Sequence, residues 1–92
     1  MGCKLEKMLR HIVLFKIFDP EHNIPKAMAF FYTLPEIEEV QHFSLQQDQD
    51  SILLYTEFES KAALKIYLEH DIHTEVKRNT ERLIEEKKIF DF

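Results

Sequence analysis

The stretch that decides the fold is Leu9–Phe18, "LRHIVLFKIF". It is rich in β-branched and aromatic residues and runs into Asp19-Pro20, a turn signal, so it predicts a strand. Its odd positions are Leu9, His11, Val13, Phe15 and Ile17, and its even positions are Arg10, Ile12, Leu14, Lys16 and Phe18. A strand with one wet face alternates apolar with polar residues. This one is apolar on both sides at its centre, which marks a strand covered on both faces.

Working outward, "IPKAMAFFYTL" predicts a helix with Pro25 in its first turn and Pro35 at its end, and Ala27, Met28, Phe31 and Leu34 as its core stripe. A mixed strand over residues 40–47, the polar turn "DQDS" and the apolar run "ILLYTEF" follow. Ser60 reads as the N-cap of "KAALKIYLEH", where Ala63, Ile66, Tyr67 and His70 fall on one face. Asp71 is expected to cap a second helical piece, "IHTEVKRNTERL", with His73, Val76, Thr80 and Leu83 on one stripe. The chain then runs through the charged strand "EEKKIFDF", and no repeat, linker or low-complexity segment interrupts it.

That order is β-α-β-β-α-β, the α+β ferredoxin-like pattern with a four-stranded antiparallel sheet. The first and third strands are nearly all hydrophobic, while the second and fourth carry charges and glutamines. Apolar strands belong in the centre and polar ones at the edges, which gives the spatial order 4-1-3-2. Helices cover one sheet face. The other still carries Ile12, Leu14 and Phe18, an apolar patch of the kind that marks a partner. The simplest partner is a second copy with the two sheets face to face, so a homodimer is expected.

Composition narrows the function classes. With 92 residues the chain is expected to be one small domain over residues 8–92, preceded by a short leader at residues 1–7. The single glycine excludes a glycine-rich phosphate loop and leaves positive-φ turns to Asn, Asp or Gln. A net charge of −5 without a basic block argues against a nucleic-acid partner. Cys3 stands alone, which removes an intrachain disulfide and a cysteine zinc site. No run suits a signal peptide or a bilayer span, and Glu6 stands where a myristoylation signal needs Ser or Thr. These readings predict a cytoplasmic protein with no membrane partner.

Four spaced segments, "MLRHIVLFKIFD", "LPEIEEVQHFSL", "EFESKAALKIYLEHDIHTEV" and "LIEEKKIFDF", resemble the stress-responsive α/β-barrel domain family. The resemblance covers residues 8–92 and implies dimeric ferredoxin-like subunits whose sheets form a closed barrel. One plant member of that family is a polyketide cyclase that closes its substrate by an aldol-type condensation without a cofactor. Matched residue by residue, its catalytic tyrosine and histidine fall on Tyr67 and His73 of "YLEHDIHTE", and a further active-site histidine falls on His11. Ile52 stands where the cyclase carries another histidine, and Asp71 where a proline is usual.

Three function classes remain open. One is a dimeric barrel binding a small apolar ligand between sheet and helices, with Val13, Phe15, Phe31 and Ile66 as contacts. A second is a cofactor-independent cyclase or lyase, with His73 as base, Tyr67 assisting and His11 nearby. A histidine with an ordinary pKa of about 6.5 suits proton abstraction next to a carbonyl at neutral pH. The third is a heme- or oxygen-handling relative, a link resting on fold alone. Against all three stands a packing role, with Tyr67 filling core and His70 and His73 serving a helix junction. No metal site is expected, because His70 and His73 lack a third ligand.

Overall fold

A computed structural model describes residues 8–92 of the chain; the expected leader at residues 1–7 lies outside the described residues. Four strands, β1 (Leu9–Ile17), β2 (His42–Gln47), β3 (Ser51–Phe58) and β4 (Ile84–Asp91), form one antiparallel sheet in the order β2-β3-β1-β4. Three helices, α1 (Pro20–Phe31), α2 (Lys61–Glu69) and α3 (Asp71–Thr80), connect them. The apolar strands are central and the polar ones are at the edges, as the sequence predicts.

The register explains how one strand serves two faces. Val13 pairs with Leu54, Phe15 with Ile52 and His11 with Thr56, so the buried side chains of β1 and β3 stand side by side on the helix-facing side. Ala27 and Phe31 of α1, Leu64 and Tyr67 of α2, and Val76 of α3 close over them, with Leu34 and Ile37 from the segment that follows α1. Thr56 donates its hydroxyl hydrogen to the His11 carbonyl (3.0 Å), which satisfies a polar group in this interior.

Among the described residues nothing covers the opposite face. Leu14 is 36% exposed, and Phe90 and Phe92 lie open beside it, the latter beneath the Arg10 guanidinium. Ile12, Leu53 and Tyr55 on this face are half-buried. Phe18, just beyond β1, is also exposed.

The first helix begins earlier than the prolines suggest. Asp19 takes the left-handed conformation (φ 48°, ψ 62°), folding the chain back directly after the strand. Asp tolerates that region better than most residues. Pro20 then occupies the first helical position, where a missing N–H costs nothing. The Asn23 side chain donates to the Phe18 carbonyl and ties helix to strand. Pro25 therefore sits inside the helix on its exposed side, and Pro35 lies in a separate 3₁₀ turn, Leu34–Glu36.

Ser60 caps α2 as expected, its hydroxyl accepting from the Ala63 N–H (3.1 Å). At the next junction the cap is His70 and not Asp71: its Nδ1 accepts from the Ile72 N–H (3.0 Å), and Asp71 becomes the first helical residue. The extended backbone of His70 separates α2 from α3. No helix among the described residues is long and apolar enough to cross a membrane.

Candidate functional site

Between the sheet and the α2–α3 pair lies a cavity of about 390 Å³. Val13, Phe15, Leu54, Phe31, Leu34 and Val76 give it apolar walls, and His11, Tyr67 and His73 supply its polar groups. Lys87, Ile89 and Asp91 of β4 also line the cavity, and that edge strand is exposed along nearly its whole length. Ile89, although on the helix-facing side opposite Val13, remains 52% exposed. The volume is within the range of small-molecule sites, which are largely apolar with a few convergent polar groups.

His11 reaches the site because its position on β1 shares the inward face with Val13 and Phe15. It is 5% exposed, and its Nδ1 lies 2.5 Å from Asp91 Oδ1 of the directly paired strand β4. A carboxylate only accepts, so Nδ1 carries the hydrogen of this contact. Tyr67 is 1% exposed and packs against Phe58 (centroids 4.7 Å apart), His73 (4.9 Å) and His11 (6.1 Å). Burial raises its pKa well above the usual phenol range, so the hydroxyl stays protonated and can donate.

His73, in the first turn of α3, is pushed down to about 4. Burial is the main cause, the positive charges of Lys77, His11 and Lys87 add to it, and a hydrogen bond to the Leu68 backbone opposes it. At neutral pH the ring is an uncharged acceptor. Among the described residues no hydrogen bond joins Tyr67 to either histidine, and no buried side-chain polar atom lacks a partner. The Tyr67 hydroxyl therefore keeps its small exposure toward the cavity.

The three residues matched to the cyclase thus meet around one space. Of the four expected ligand contacts, Val13, Phe15 and Phe31 line it, whereas Ile66 is 50% exposed and lies outside it. The buried face of α2 is Leu64–Tyr67, with Leu68 reaching the cavity, a rotation of the helix away from Ile66. Phe30 lies in a groove between α1 and α3 instead, and Tyr32 is exposed. Sequence reasoning missed Asp91, Lys77 and Lys87. The β4 register would have supplied Asp91, but that strand's weak alternation does not reveal it. Among the described residues no group of three or more His, Cys, Asp or Glu could hold a metal ion, and His70 uses its Nδ1 as a cap.

The sequence profile of the stress responsive A/B barrel domain matches residues 9–92. The chain belongs to that family. A stress-responsive A/B barrel (Dabb) protein with a ferredoxin-like fold from Mesorhizobium loti is 22% identical; the match covers 92% of this chain and 94% of that one, with a TM-score of 0.81. A dimeric ferredoxin-like protein of unknown function from Thermobifida fusca is 17% identical, over 99% and 95% of the two chains, with a TM-score of 0.81. A protein provisionally designated an antibiotic biosynthesis monooxygenase, from Nitrosomonas europaea, is 13% identical over 99% and 93%, with a TM-score of 0.80. At these identities the likeness is one of fold. No curated protein matches the chain. Within the Dabb frame, the cavity and the uncovered face lie on opposite sides of the same two central strands.

Proposed function

We propose that two copies of this Dabb chain pair sheet to sheet, and that each holds a small, largely apolar molecule bearing a carbonyl or hydroxyl group. The observation that carries the ligand reading is the convergence of His11, Tyr67 and His73 on one otherwise apolar cavity. Apolar walls supply affinity by removing ligand surface from water, and the polar groups orient it. Supporting the pairing are the uncovered Leu14, Phe90 and Phe92 and the dimeric state of the Thermobifida fusca neighbour.

Acetophenone tests the ligand reading, with its ring for the walls and its oxygen for Tyr67. Titration should move the imidazole signals of both His11 and His73, while ethylbenzene should bind more weakly. Unmoved signals up to the solubility limit would reject the reading.

One contact favours a second reading, a cofactor-independent lyase or cyclase of the polyketide-cyclase type. The Tyr67 and His73 rings touch, one held protonated and the other uncharged. In this reading a His73 ring nitrogen takes the proton from carbon next to the bound carbonyl, and Tyr67 donates a hydrogen bond to the enolate oxygen. The resulting carbanion equivalent attacks a second carbonyl, and the proton returns to the new alkoxide. A pKa of about 4 leaves His73 fully available but weak as a base. Deuterium exchange into the acetophenone methyl group is the assay, and it should fall about a hundredfold in His73→Gln. Heme or oxygen chemistry rests on shared fold alone, with neighbours at 13% and 14% identity.

A further inference from the structure

The mouth of the cavity is built differently from its interior. Lys87 of β4 pairs with Phe15, so it occupies a helix-facing position on the sheet, in line with Ile89 and Asp91. Lys77 lies one helical turn after His73 on α3, and both lysines line the same cavity. One ammonium group therefore approaches from the sheet and one from the helices. Neither forms an ion pair among the described residues. Of the carboxylates at this cavity, Asp91 is engaged by His11, which leaves Glu81. Two lysines unpaired among the described residues thus stand beside an apolar hole in a chain of net charge −5, with Asp91 turned to His11.

We propose that the molecule this cavity takes is an amphipathic organic anion, its apolar body against Val13, Phe15 and Leu54 and its carboxylate between Lys77 and Lys87. The inference rests on the ligand-binding reading above and narrows it. An inward lysine on an edge strand can also guard against edge-to-edge pairing. That role requires neither a second lysine from α3 nor an apolar space between the two. Charge-assisted hydrogen bonds from two ammonium groups fit a carboxylate well, and the exposed β4 side lets it keep partial hydration.

The arrangement has a chemical corollary. Both lysines help hold the His73 pKa down, so an anion seated between them offsets their charge and makes His73 a stronger base. The ligand's own head group would then prepare the imidazole beside it.

Octanoate and 1-octanol, equal in chain length, separate the two levels of inference. Each is titrated into the full chain while the imidazole signals of His11 and His73 are followed. Octanoate should bind at least about tenfold tighter, and its binding should raise the His73 titration midpoint. Lys77→Gln with Lys87→Gln should erase that preference and leave octanol binding intact, whereas Lys88→Gln, on the other sheet face, should change neither. Equal affinities in the parent protein, or a preference that survives the double substitution, would overturn the anion inference and leave the cavity reading standing. If neither molecule moves the His11 or His73 signals, both readings fail together.

Discussion

Replacing His73 with asparagine should flatten the acid limb of the stability curve. The folded ring holds a proton only near pH 4, against an ordinary value of 6.5. As pH falls through 6.5 the unfolded chain gains a proton on this residue that the folded chain does not. The unfolded state then binds more protons, so stability that is complete above about pH 6.5 is lost progressively toward pH 4. At about pH 5 this shifts the folding equilibrium by a factor of about 30, or about 2 kcal/mol. Because the ring is partly solvated, a measured loss of about 1–2 kcal/mol between about pH 7 and pH 5 is expected from this residue. Urea unfolding at both pH values, for the parent, His73→Asn and His22→Asn, isolates that contribution. His22 lies on the surface beside Asp19, away from the cavity, and serves as the control for a histidine-to-asparagine change. If His73→Asn loses as much stability on acidification as the parent does, the ring is protonated in the folded protein and the burial argument fails.

Two further substitutions probe the site and the proposed pairing. Tyr67→Phe should change stability by less than about 0.5 kcal/mol, since the hydroxyl has no partner among the described residues, whereas Tyr67→Ala should cost about 3–5 kcal/mol in lost ring packing; a phenylalanine variant destabilised by more than about 1 kcal/mol in urea melts would reveal a structural hydrogen bond. Leu14→Glu enters a symmetric interface twice and replaces buried leucine surface with charge, so it should raise the dimer dissociation constant at least about a hundredfold in sedimentation. A parent protein that sediments as a monomer at micromolar concentration, or a variant that pairs as tightly as the parent, would exclude sheet-to-sheet association.

The strand order was legible because Val13, Phe15, Ile52 and Leu54 contrast with the charged residues of β4 and the glutamines of β2. Burial leaves that mark on composition, so central strands can be told from edges without coordinates. The start of α1 was not legible. It depends on one backbone conformation at Asp19, and Pro25 pointed to a later beginning. The face of α2 was legible at Tyr67 but not at its neighbours. Ile66 and Leu68 are both apolar, and a small rotation of a short helix decides which turns inward. Tyr67, His73 and His11 were found through the family resemblance together with apolar periodicity. Asp91 and Lys87 needed the pairing register of β4, where charged residues occupy both faces and the pattern carries little signal.

The alternation along β1 has a consequence for how such proteins diverge. His11, Val13 and Phe15 look into the hollow, while Ile12 and Leu14 look the other way. On the proposed reading adjacent letters in one short segment answer to separate pressures, so substitutions at every second position would retune the proposed ligand without disturbing the proposed pairing. An inserted or deleted residue within that segment would exchange the two sets at a stroke, and such length changes should be far rarer there than in the turns.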